Sequence, residues 1–109
     1  MKQRILKTGL LSGLLLALGA TAQADVAAGK MRAAMACAVC HGPQGLSMQP
    51  NVPHLAGQPE IYLVEQLRNY RSGKRHHEVM SVIAKPLSDQ DIQNLAQWYA
   101  SLQLSVQEP

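Results

Sequence analysis

The chain has 109 residues, ten of them Lys or Arg and seven Asp or Glu, for a formal charge of +3. Three of the basic residues, Lys2, Arg4 and Lys7, sit in a removable leader, so the surplus is no argument for nucleic-acid binding. What remains is enough for one domain, and no other stretch is long or apolar enough to cross a bilayer.

The leader comes first. Gly9 to Ala20 is apolar apart from Ser12, and Ala22-Gln23-Ala24 is a small-residue cleavage pattern, so residues 1–24 read as a cleaved secretory signal peptide. The run is shorter than the roughly 20 residues of a spanning helix. Ala20-Thr21-Ala22 is a second cleavage pattern, which would start the mature chain at Gln23 instead of Asp25. Residues 25–109 carry seven basic and seven acidic residues and form one domain near the lower size limit for a self-sufficient core. Its aromatics are Trp98, Tyr62, Tyr70 and Tyr99, with no Phe. Aromatic rings supply much of a small core's buried area, and a large apolar cofactor would fill that gap.

Asp25 to about Ala36 is Ala-rich and free of proline, which predicts an N-terminal helix. From His41 to Gln58 the glycines and prolines mark an irregular loop. Pro59 then opens a helix at its first position, and Ile61, Val64 and Leu67, with Tyr62 and Tyr70, recur at helical spacing until Gly73 ends it. Residues 73–87 read as a connecting loop. Ser88 is an N-cap with Asp91 completing a capping-box-like pair, and Ile92, Leu95, Ala96, Tyr99 and Leu102 stripe the last helix. Nothing alternates with period two. The expected fold is all-α, about three to four helices around one cofactor.

The chemistry lies between the first helix and the loop. Two cysteines in an exported protein suggest a disulfide, yet a bridge over so short a loop constrains little of the unfolded chain. A redox-active dithiol is the stronger rival. The following residue decides, because Cys37-Ala38-Val39-Cys40-His41 is a c-type haem attachment motif. Residues three apart share one face of a helical turn, so both sulfurs reach the vinyl groups of one porphyrin. His41 then brings an imidazole nitrogen to the iron.

The chain resembles a class I cytochrome c, particularly one domain of the bacterial periplasmic dihaem cytochromes and their small monohaem relatives. The resemblance spans residues 25–104. It rests on Cys37 to Gly42, the Pro53-His54-Leu55-Ala56-Gly57-Gln58 loop, the Tyr62-to-Arg75 helix and its exit, Met80, and Ala84-Lys85-Pro86-Leu87-Ser88-Asp89. It implies that the first and last helices cross closely at Gly29, with Tyr99 or Trp98 as the aromatic partner. Only one attachment motif is present, so two haems would require two chains to pair; a monomer or weak dimer is expected.

The candidates for the sixth iron ligand are Met31, Met35, Met48, Met80, His54, His76 and His77. Met31 and Met35 precede the attachment turn and suit helix packing, and Met48, only seven residues after His41, has a tight reach to the opposite face. His76 and His77 read as solvated loop residues, and His54 as structural or exposed. Met80, 39 residues after His41, lies where the family carries its axial methionine; a gap-filling core methionine is the alternative. The resemblance also implies that the Pro53 carbonyl accepts from His41 and that Leu55, Tyr62 and Leu67 wall the pocket. Arg68, Arg71, Lys74 and Arg75 stabilise a helix end or form a docking patch for an acidic redox partner. The expected function is periplasmic one-electron transfer between larger redox complexes, with no enzymatic activity of its own. A haem subunit of a larger oxidoreductase, or a sensor or enzyme with a displaceable sixth ligand, are the alternatives.

Overall fold

The computed structural model describes residues 22–109; the leader expected over residues 1–24 lies outside the described residues except for its last three. Five helices follow in order: α1 (Val26–Ala36), α2 (Ala38–His41), α3 (Glu60–Ser72), α4 (Met80–Ala84) and α5 (Asp89–Ser101). No strand occurs among the described residues.

Local chemistry sets most boundaries. Asp25 caps α1, its carboxylate accepting from the Ala27 and Ala28 amides at 2.9 and 3.1 Å. Pro59 stands just before α3 with ψ 132°, one residue earlier than the sequence predicts, and Gly73 closes that helix in the left-handed conformation. Ser88 and Asp91 form the full reciprocal capping box of α5. The expected 73–87 loop is partly helical: residues 80–84 make the single turn α4. A turn this short has no usable hydrophobic period, so its own pattern was silent.

The core is small and lies along α5. Ile92, Leu95, Ala96 and Tyr99 pack with Ala33 of α1, Leu63 and Val64 of α3, Ala84 of α4 and Leu87. α1 crosses α5 at Gly29, where an added Cβ would lie 2.0 Å from the Asn94 carbonyl oxygen and 3.0 Å from the Trp98 Cβ. Only a residue without a side chain admits that approach. The aromatic at the crossing is Trp98, and the Lys30 ammonium lies 5.4 Å from its ring centre. Tyr99, one residue on, is buried on the other side. Asn94 closes the crossing by accepting from the Asp25 amide at 2.8 Å.

Arg71 joins the end of α3 to the start of α5. It donates to the Leu87 carbonyl at 2.9 Å and pairs with Asp89 at 2.6 Å. That ion pair holds the Asp89 carboxyl below its ordinary range. Hydrogen bonds from Ser88 do the same for Asp91.

Candidate functional site

Cys37, Cys40 and His41 stand on and beside the one-turn helix α2, which is why their side chains converge. Gly42 follows with φ 84°, and a Cβ there would meet the Leu46 carbonyl oxygen at 2.1 Å. The chain thus reverses immediately after His41 and folds its loop back over the turn. Ser47 Oγ donates to the Cys40 carbonyl at 3.0 Å, and Gln49 Nε2 to the Val39 carbonyl at 2.9 Å. The Gly45 carbonyl accepts from the Leu55 and Ala56 amides, which carries Pro53 past the His41 ring.

There the Pro53 carbonyl accepts from His41 Nδ1 at 2.8 Å. A carbonyl can only accept, so Nδ1 carries a proton and donates it there. His41 is 7 % exposed. Its ring is therefore buried and held in one orientation.

Cys37, Cys40 and His41 open on a cavity of about 610 Å³. Met80 lies on its wall, as do Pro53, Leu55, Tyr62 and Leu67. Met31, Met35 and Met48 do not line it and are 68 %, 74 % and 96 % exposed. Met80 is thus the described methionine that the fold brings to the same space as His41. His54 is absent from the lining; its Nδ1 accepts from the Ser47 amide at 2.8 Å. His76 is exposed and away from the cavity.

Sequence reasoning missed part of the wall. Leu95, Ala96 and Tyr99 of α5 and Ile83 of α4 line the cavity. The α5 residues had been absorbed by the helix-packing stripe, and one face of α5 in fact serves both core and cavity. Burial raises the Cys37 thiol and the Tyr99 phenol above their ordinary values, so both are neutral in this apolar setting. His77 is an exposed loop residue, as expected, but it is not idle. It stands at the cavity's edge, and its Nδ1 accepts from the amides of Val79 and Met80.

Of the four basic residues, Arg71 is committed to Asp89 and Leu87. Arg75 donates to Gln66 Oε1 at 2.8 Å and stacks 4.7 Å from the Tyr70 ring centre. Arg68 and Lys74 make no ion pair among the described residues.

Residues 26–103 match the family model described as cytochrome c. The chain is 46 % identical over 101 residues to a cytochrome c4 of Pseudomonas aeruginosa, covering 89 % of this chain and 50 % of that protein. It is 44 % identical over 73 residues to a thiosulfate dehydrogenase electron acceptor of Thiomonas intermedia, covering 66 % of this chain and 34 % of that one. The crystal structure of reduced recombinant cytochrome c4 from Pseudomonas stutzeri superposes with a TM-score of 0.69 at 38 % identity. That match covers 76 % of this chain and 48 % of that one. The chain spans about half the length of the cytochromes c4 it matches.

Proposed function

Because the chain belongs to the cytochrome c family, we propose that it is a one-electron carrier with His41 and Met80 as axial ligands of a haem iron. Covalent haem c is the cofactor, and the residues present fit it. Two thiols and an imidazole oriented through its Nδ1 line a largely apolar cavity of about 610 Å³, within the range of pockets that hold cofactors. When bound, haem c supplies a one-electron iron couple.

The observation that carries the reading is the pairing of His41 and Met80 on the wall of one cavity, with every other described methionine outside it. Cys37 and Cys40 would hold the haem through thioether bonds. The Pro53 carbonyl orients His41 and raises its basicity. Met80 offers a neutral, weakly donating sulfur, which favours the ferrous state and raises the potential. Leu55, Leu67, Leu95 and Ala96 keep water from the site. With His41 and Met80 both holding the iron, the chain would exchange electrons without binding substrate.

Export fits this reading. The basic start, apolar run and cleavage pattern of residues 1–24 support a periplasmic location, and no described helix is long and apolar enough to cross a membrane. Redox partners are a donor and an acceptor protein. The relative named as an electron acceptor of thiosulfate dehydrogenase supports a dehydrogenase as the class of donor.

The test is Met80→Ala. The parent ferric protein should show the near-red charge-transfer band of methionine ligation, and its ferrous form should bind carbon monoxide poorly. Met80→Ala should lose the band and bind carbon monoxide readily. Met80→His should lower the potential, within the roughly 0.8 V that axial ligands span. A parent that binds carbon monoxide quickly and lacks the band would make the protein a sensor or enzyme. Survival of the band in Met80→Ala would remove Met80 from the iron.

A further inference from the structure

The segment that delivers Met80 has little apolar anchorage at its leading end. Val79 and Val82 are exposed, and the deeply buried residue of α4 is Ala84, at the far end of the turn. A five-residue helix also has no length over which to recover its nucleation cost, and its first amides have no partner within the helix.

His77 supplies those partners. Its Nδ1 accepts from the Val79 amide at 3.1 Å and from the Met80 amide at 3.3 Å. Its own amide donates to Ser81 Oγ at 3.0 Å, and its carbonyl accepts from the Ser81 amide at 3.0 Å. The result is a reciprocal knot of the capping-box kind, with imidazole in place of the usual oxygen acceptor. An Nδ1 that accepts carries no proton, the reverse of the Nδ1 of His41, which donates. Upstream, the Arg75 amide donates to the Asn69 carbonyl at 3.0 Å, tying the loop to the end of α3 just before the knot.

We propose that His77 is a positioning residue for Met80: its imidazole caps the turn that carries the thioether and so sets how firmly Met80 stays on the iron. The inference rests on the reading of Met80 as axial ligand. His77 never touches the metal in this role; it acts through the backbone of residue 80. The knot matters here because the neutral thioether is a weak donor that cannot itself hold the loop.

The experiment compares the purified haem-loaded parent with His77→Ala, His77→Asn, Ser81→Ala and Met80→Ala. Asn places a side-chain oxygen near the position of Nδ1 and can accept both amides. Three readouts are taken: the temperature at which the near-red band disappears, the rate of carbon monoxide binding to the ferrous form, and the far-UV unfolding midpoint. His77→Ala should lose the band well below its far-UV midpoint and bind carbon monoxide about fivefold faster, the population shift expected from a lost side-chain cap. His77→Asn should return both values to the parent's, and Ser81→Ala should move them less, in the same direction. A His77→Ala protein with the parent's band and carbon monoxide rate overturns the proposal. So does an Asn variant as open as the Ala variant, or a band loss that merely tracks global unfolding. If Met80→Ala abolishes the band while His77→Ala leaves it untouched, only the positioning role falls. If the band survives Met80→Ala, the ligand assignment falls and takes this inference with it.

Discussion

Replacing Gly29 with alanine turns the α1–α5 crossing into a measurement of sign. On an isolated helix the change stabilises, because alanine exceeds glycine in helix propensity by about 1 kcal/mol. In this fold the new methyl carbon would sit 2.0 Å from the Asn94 carbonyl oxygen and 3.0 Å from the Trp98 Cβ. The first of these is backbone and cannot rotate away, so the helices must part by on the order of 1 Å, which puts the cost near the top of the roughly 1–3 kcal/mol range for overpacking. Subtracting the propensity gain leaves a net loss of about 2 kcal/mol. For a domain of this size that is a fall in melting temperature of about 8–16 °C. Parting also strains the Asn94 side chain, which holds the Asp25 amide at 2.8 Å. Thermal and guanidinium unfolding of the haem-loaded protein, followed by far-UV circular dichroism, reads the change. A Gly29→Ala protein that melts at or above the parent would refute the close crossing, since propensity alone would then account for the result.

Acid-acetone extraction of the denatured mature protein should leave the colour on the chain, with a mass one haem above that of residues 25–109; extractable pigment and two titratable thiols would rule out thioether attachment. Cys37→Ser or Cys40→Ser should give a poorly folded product, seen as low protease resistance, because the small core loses its largest apolar component. Ser88→Ala should cost about 1 kcal/mol by denaturant titration, as the loss of an N-cap does. Asp89 and Asp91 have lowered carboxyl values in the folded state. Their contribution is therefore complete above the unfolded value of about 3.9 and is lost as pH falls through the lower folded ones. The melting temperature should accordingly hold down to about pH 4 and decline below it, with a shallower decline in Asp91→Asn. Reversing Arg68 and Lys74, which lie outside the Arg71–Asp89 pair, should slow electron transfer to an acidic partner and flatten its ionic-strength dependence; an unchanged salt slope would leave these residues only a helix-end role.

The identity of the cofactor and the all-α class were legible in the chain because both depend on local chemistry. Cys37, Cys40 and His41 need only one helical turn to converge, and Ser88 with Asp91, or Gly73, act within a few residues of the boundary they set. Properties that depend on which of two adjacent faces turns inward were not legible. Trp98 and Tyr99 differ by one position on α5, and only the packing of α1 against α5 sends Trp98 to Gly29 and Tyr99 to the cavity. The stripe of Leu95, Ala96 and Tyr99 signals burial without saying whether the neighbour is another helix or a cofactor space. Arg71 and Arg75 belong to one basic run in sequence, yet Arg71 is spent on Asp89 and Leu87 while Arg75 turns to Gln66 and Tyr70. The α4 turn and its His77 cap were hidden for a related reason. A single helical turn has no periodicity to read, and histidine is an uncommon cap whose acceptor role appears only once the backbone has brought two amides to its ring. Sequence thus determined the short-range chemistry, attachment turn and helix ends alike, because a few covalent bonds separate the participants. Tertiary structure decided which side of each helix faces the cavity and which methionine shares it with His41, because those choices follow from packing between segments tens of residues apart.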